Sequence, residues 1–211
     1  MNISKNEWMN ALIDRHGIEL HKRFSSAVVA VCGLGGLGSN IAVALARAGI
    51  GKLILVDFDR VDVTNLHRQQ YKANQIGRYK TEALAENLLE IAPYIEMKTV
   101  TAKITEENFR DFLKDATIIC EAFDHAEAKA MLVNGVLEQL PECYLVAASG
   151  MAGMDTPNTI RTRKIMKRFY LCGDEVSDAA DTIGLVAPRV MLCAAHQAHT
   201  VLRILAGEYE I

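Results

Sequence analysis

Gly33, Gly35 and Gly38 fall in the order G-x-G-x-x-G between a β-branched run, Val28-Val29-Ala30-Val31, and an apolar segment from Asn40 to Ala48. That spacing suits a phosphate. The first glycine permits a tight turn, the second lets the backbone approach the anion, and the third lets helix pack closely on strand. Gly36 and Ser39 complete the loop, and the helix it opens would turn free N–H groups and a positive dipole end toward the phosphates. Asp57 follows Gly38 by about 20 residues, where a carboxylate can accept hydrogen bonds from ribose hydroxyls. Past it, Asn65-Leu66-His67-Arg68-Gln69 gathers amides and a guanidinium, and Lys80 adds an ammonium. Arg68 by its planar fork and Lys80 as a point charge could together neutralise a triphosphate. A nicotinamide-dependent oxidoreductase would use the glycines and Asp57, yet it leaves Asn65, Arg68 and Lys80 without a task.

The elements around these residues alternate. Apolar runs predict strands over 27–32, 52–57, 95–100, 117–122 and 143–148, separated by helices over 37–48, 78–91 and 125–139. Pro93 disfavours helical geometry at Ala92 and ends the second of these helices. Thr105 reads as the N-cap of a further helix, with Glu106 and Glu107 in its first turn. The pattern predicts an α/β, Rossmann-like, doubly wound and mostly parallel sheet covered on both faces. The tail departs from it: Asn158–Lys164 alternates as a half-exposed strand, Lys167–Leu171 can pair with it antiparallel, and a helix over 187–206 closes the fold. No linker or repeat divides residues 1–211, which read as one domain: an N-terminal helical segment (1–25), a core (26–150) and a crossover region (151–211).

Taken in order, Gly33-Leu34-Gly35-Gly36-Leu37-Gly38-Ser39, Asp57-Phe58-Asp59, Asn65-Leu66-His67-Arg68-Gln69 and Lys80 resemble the ThiF/MoeB family of sulfur-carrier adenylyltransferases, relatives of the ubiquitin-activating enzymes. The likeness runs from about Arg15 to the final helix. It implies an enzyme that binds ATP and Mg²⁺ and activates the C-terminal glycine carboxylate of a small ubiquitin-like sulfur carrier. Pyrophosphate leaves and a carrier acyl-adenylate remains. It assigns Asp57 to the ribose, Asn65, Arg68, Gln69 and Lys80 to the phosphates, and Asp124, just after the fourth strand, to Mg²⁺. Two anions must meet in such a reaction, so positioning and electrostatics carry it. The resemblance also implies a homodimer in which Arg15 reaches the partner subunit's ATP, the logic of an arginine finger; an exposed surface arginine is the alternative. Cys172 falls where relatives place a crossover loop, and some relatives use a cysteine there for a persulfide or thioester; a small buried thiol is the alternative. Asp59 either assists Mg²⁺ or holds its loop.

Two departures from the family pattern stand out. Relatives commonly read Asp-Asn-x-x-x-Arg where this chain has Asp124-His125-Ala126-Glu127-Ala128-Lys129, so Lys129 keeps a charge for the nucleotide but loses the guanidinium fork. Cysteines stand at 32, 120, 143, 172 and 193, and none forms a Cys-x-x-Cys pair, so no zinc is expected. The short zinc-free form resembles a compact ThiF-like branch of thiamine biosynthesis, whose carrier is ThiS-like. A non-catalytic module that retains nucleotide and binds a carrier is the remaining alternative.

Composition bounds the partners. Half of the 211 residues are apolar, enough for a sizeable core. The net charge of −3 gives no general electrostatic reason to bind nucleic acid or an anionic membrane. No apolar run of about 18 residues predicts a membrane span, the first residues carry no signal-peptide pattern, and the scattered cysteines suit a reducing cytoplasm. His196 and His199 share a face of the last helix without an evident third ligand, which favours packing over metal binding.

Overall fold

The computed structural model describes residues 3–211; residues 1 and 2 of the N-terminal segment lie outside it. Helices α1 (Lys5–His16) and α2 (Ile18–Ser26) lead into β1 (Val28–Cys32), α3 (Gly36–Arg47) and β2 (Lys52–Val56). Ser4 starts α1 by accepting the Glu7 N–H while Glu7 reaches back to the Ser4 N–H, a reciprocal capping box. There follow α4 (Lys80–Ile91), β3 (Glu96–Val100), a short α5 (Phe109–Leu113), β4 (Ile118–Glu121), α6 (Ala126–Gln139) and β5 (Tyr144–Ala148). Finally β6 (Arg161–Met166) and β7 (Phe169–Gly173) form a hairpin before α7 (Ala187–Ala206).

The strands make one sheet in the order β3-β2-β1-β4-β5-β7-β6. Every pair is parallel except β6–β7. The central strands β1, β2, β4 and β5 are buried almost throughout, which explains their continuous rather than alternating apolar character. The edge strands carry charge instead: Glu96 and Lys98 on β3, and Arg161, Arg163 and Lys164 on β6, which discourages further strand addition. One core lies under α3, α4 and α7, with Ile41, Leu45, Leu84, Leu88, Cys193 and Val201 against Val29, Val31, Leu53 and Leu55. The other lies under α5 and α6, where Phe109, Leu113, Leu132 and Val136 cover Ala30, Ile54 and Ile119. The sequence-predicted doubly wound sheet with an antiparallel end and a closing helix is therefore the fold observed.

Two local expectations need correction. Thr105 does not cap a helix. The Asn108 side chain accepts the Thr105 N–H and donates to the Lys103 carbonyl, which closes a turn over 106–108 and delays α5 to Phe109. The strand expected from Asn158 begins at Arg161, because Pro157 opens a single 3₁₀ turn, Pro157–Thr159.

The order of strands reverses direction between β1 and β4, so the crevice beyond their C-terminal ends is where an open α/β sheet binds ligands. Gly33, Asp57 and Asp124 all follow strand ends at this edge.

Candidate nucleotide site

The glycine loop is built by close approach. Gly33 has φ +89°, and a Cβ there would meet the Ala122 carbonyl at the end of β4. A Cβ on Gly38 would be driven into the Gly33 carbonyl oxygen, so α3 starts hard against the end of β1. No side chain caps α3, which leaves the amides of its first turn directed at the crevice.

Above this loop lies the segment carrying Arg68 and Gln69, and α3 holds it down. The Ser39 hydroxyl donates to the Gly35 carbonyl at 2.6 Å and accepts the Gln70 N–H at 3.1 Å. Asn40 donates to the Gly36 and Arg68 carbonyls and accepts from the Gln70 amide. The Arg68 stem then lies over Gly36, and the Gln69 amide nitrogen lies beside Gly35. The Arg68 guanidinium donates to the Thr64 carbonyl at 3.1 Å. Among the described residues, Arg68 Nε and Gln69 Oε1 are buried without any hydrogen-bond partner. Three other buried atoms, His16 Nε2, His21 Nδ1 and Gln197 Oε1, are likewise unpartnered; the two here, one a donor and one an acceptor, belong to side chains beside the glycine loop. Ser39, expected to touch the nucleotide, is wholly buried and spends its hydroxyl on the loop. Its contribution is to position.

Asn65 sits at the end of a 3₁₀ turn, Val63–Asn65, where its side-chain amide oxygen accepts the Asp62 N–H. His67 contacts the Thr64 carbonyl through Nδ1 at 2.8 Å and the Leu185 carbonyl through Nε2 at 3.3 Å, tying this segment to the run before α7. Tyr71, which sequence reasoning passed over, is buried and donates its hydroxyl to the Leu34 carbonyl in the glycine loop.

Asp57 is buried at the end of β2 and accepts the Leu34 N–H at 2.6 Å and the Asp59 N–H at 2.8 Å. Burial pushes its carboxyl up, opposed by the Lys80 charge and by those two N–H groups. Lys80 is itself buried and donates to Asp59 at 2.8 Å. Of the two roles open to Asp59, the geometry supports holding its loop: it fixes the lysine. Asp57, Asp59 and Lys80 thus form one charged corner beside the glycine loop.

Asp124 leaves β4 with its side chain 89% exposed, and the His125 ring stands 3.8 Å from its carboxylate. Lys129, expected near the nucleotide, is held in an ion pair at the end of β4. Its ammonium meets both oxygens of Glu121 at 3.0 Å, drawn there by a carboxylate that is buried among apolar side chains. Glu121 is the site-edge residue missed in the sequence. An acid at the end of the apolar run Ile118-Ile119-Cys120 was the available signal.

Cys172 lies outside any crossover loop. It belongs to β7, pairs in register with Ala148, is fully buried, and its thiol is pushed up by burial to about 11. A thiol so held is a core group and a poor nucleophile. The exposed segment after β7 starts at Asp174, whose carboxylate accepts from Ser177, Val176 and the buried Arg189. Arg15 is exposed near the end of α1. His196 bonds to the Thr162 hydroxyl at 2.9 Å, and the described residues contain no group of three or more metal-ligating side chains. No described helix is long and apolar enough to cross a membrane.

A family model described as "ThiF family" matches residues 9–211. The chain is 29% identical over 191 residues to molybdopterin-synthase adenylyltransferase of Salmonella typhimurium, covering 89% of this chain and 76% of that protein. It is 33% identical over 126 residues to adenylyltransferase and sulfurtransferase MOCS3 of Caenorhabditis briggsae, which covers 59% of this chain. The chain spans only 31% of that relative's length. Among solved structures, E. coli tRNA N6-threonylcarbamoyladenosine dehydratase in complex with AMP superposes with a TM-score of 0.86 at 21% identity, covering 99% of this chain and 98% of that one. At that identity the likeness concerns the fold.

Proposed function

This chain belongs to the ThiF family, and from that premise we propose that it is an ATP-dependent adenylyltransferase acting on the C-terminal glycine carboxylate of a ThiS-like sulfur carrier, in the thiazole branch of thiamine biosynthesis. The observation that carries the reading is the buried, unpartnered Arg68 Nε, on a side chain whose stem lies over Gly36 in the glycine loop. A nicotinamide enzyme has no use for a guanidinium there, whereas a triphosphate supplies the acceptors it lacks.

In this mechanism the glycine loop and the first turn of α3 cradle phosphate oxygens, with Arg68 and Lys80 countering their charge. Asp57 turns from the backbone N–H groups it now accepts toward a ribose. The carrier's carboxylate oxygen attacks the α-phosphorus, the bond to the bridging oxygen breaks, and pyrophosphate departs with its electron pair. The chain contributes position and positive charge and no covalent nucleophile, consistent with the burial of Cys172. Asp124, exposed and without a strong partner, suits a Mg²⁺ held by one carboxylate and phosphate oxygens. The ion, when bound, supplies further positive charge against the phosphates. A carrier tail has a route: a cleft of about 300 Å³, lined by Thr159, Arg161, Arg163, Gly173 and Asp174, opens at the same edge of the sheet. In a homodimer Arg15 is offered to the partner's nucleotide.

ATP–pyrophosphate exchange tests this reading. Exchange is expected with a diglycine-ended ThiS-type carrier, is lost when the last glycine is removed, and disappears in Asp124→Ala. Binding of NAD in place of ATP would overturn the proposal. Exchange driven by a tRNA-borne carboxylate and by no carrier would redirect its substrate.

A further inference from the structure

Glu121 ends β4 with 1% of its surface exposed, a carboxyl in the interior of the sheet that burial pushes up and the Lys129 charge draws down. Burying a carboxylate is costly unless it is paired and hydrogen-bonded, and two groups meet that demand while a third holds the backbone of the same residue. Lys129 of α6 reaches both oxygens at 3.0 Å. The Phe123 N–H donates to Oε1 at 2.7 Å. From the opposite face of the sheet, the Gln197 amide of α7 donates to the Glu121 carbonyl at 3.0 Å and to the Val146 carbonyl at 3.2 Å. An apolar residue would fill the position without any of this. What the carboxylate adds is a grip on the backbone two residues ahead, the step that ends the strand and aims Asp124.

The grip matters because of what lies on its other side. Ala122 and Phe123 form the wall against which Gly33 is packed, so closely that a Cβ on Gly33 has no room. The β4–α6 turn and the glycine loop are therefore one rigid assembly, and the Glu121 carboxylate sets where the turn leaves it. We infer that Glu121 and Lys129 are positioning residues: their buried ion pair fixes the Phe123–Asp124 turn so that the Asp124 carboxylate presents to a metal ion on the nucleotide in the phosphate cradle. The inference rests on the proposed ATP site and adds the pair that aligns it. It also gives Lys129 a task that accounts for its pairing with Glu121.

Equilibrium binding of ATP to the full chain, once in EDTA and once in saturating Mg²⁺, separates the metal's contribution from that of the cradle. The purified wild type is expected to bind more tightly with Mg²⁺. Lys129→Met leaves the carboxylate unpaired, and Glu121→Asp withdraws it from the Phe123 N–H while keeping its charge. Each is expected to lose on the order of 10-fold of the Mg²⁺-dependent gain, as outer partners of metal ligands do, with Mg²⁺-free affinity nearly unchanged. Lys129→Arg, which preserves the pair, is expected to keep the gain. Should Lys129→Met fail to fold, the comparison of Glu121→Asp with Lys129→Arg decides alone. Equal losses with and without Mg²⁺, or no loss in folded variants, would overturn the inference while leaving the ATP site standing. Failure of the wild type to bind ATP would instead remove the proposed function, and this inference with it.

Discussion

Replacing Arg68 by methionine separates what this side chain does for the fold from what it does for a phosphate. Methionine keeps an unbranched stem over Gly36, so packing there is largely preserved. The substitution removes two hydrogen bonds, to the Thr64 carbonyl at 3.1 Å and to His67 Nε2 at 3.3 Å, together costing about 2 kcal/mol. It also removes a buried Nε–H that has no partner, relieving a penalty of about 1–3 kcal/mol. The two effects oppose each other, so the apo protein should melt within about 4 °C of wild type. Toward ATP the balance is one-sided. Two charge-assisted hydrogen bonds to phosphate oxygens, at roughly 1.5 kcal/mol each, are lost together. About 3 kcal/mol corresponds to a drop of about 150-fold in kcat/KM for ATP. Pyrophosphate exchange at varied ATP measures that ratio, and a thermal melt of the same sample measures the fold. A folded variant that loses less than about 5-fold would refute the reasoning, since the orphaned nitrogen would then have some purpose other than a ligand.

Cys172→Ala should leave exchange within about 2-fold of wild type and lower stability by only about 1 kcal/mol, because the thiol is a packing group; a carrier adduct captured on Cys172 by mass spectrometry would contradict this. Acid sensitivity should centre on Asp174. Burial pushes its carboxyl up, but the N–H groups of Ser177 and Val176, the Ser177 hydroxyl and Arg189 outweigh that and hold it at about 2. A depressed folded pKa stabilises above the unfolded value near 4 and loses that support as pH falls toward 2. Melts of Asp174→Asn at neutral pH should therefore show a loss of about 3–5 kcal/mol, from stranding the buried Arg189 charge, and a flatter acid slope than wild type between about pH 4 and 2.

What could be read in advance was local. The runs around Val29, Leu53 and Ile119 are apolar and β-branched over a strand's length, and the glycine spacing depends only on neighbours, so the sheet and its phosphate loop followed from composition in short windows. Thr105 and Asn108 show where such reading stops, because both can cap and only the Asn108 bonds to Lys103 and Thr105 decide between them. Cys172 was misplaced for a different reason. The length of β7 depends on its parallel pairing with β5, a partner more than 20 residues away in sequence. The pairing of Lys129 was hidden for a similar reason, since nothing near it in the chain announces the buried carboxylate of β4. Asn65, Arg68, Gln69 and Lys80 were legible as chemistry because their spacing carried a resemblance. Which of them has a free valence, and which is occupied by Asp59 or Asp62, is a tertiary fact.

The packing of α7 along α3 carries a consequence for biosynthesis. Val190, at the start of α7, lies against Gly36 itself, so one wall of the phosphate loop comes from a helix made about 150 residues later. At about 5–20 residues per second, the ribosome presents the loop some 7–30 seconds before that wall exists. During this interval α3 has its contacts with β1 and α4 but lacks those of α7, and the glycine loop lacks the wall that Val190 provides. Translation therefore finishes this site last: the wall that Val190 sets against Gly36 follows the loop it closes.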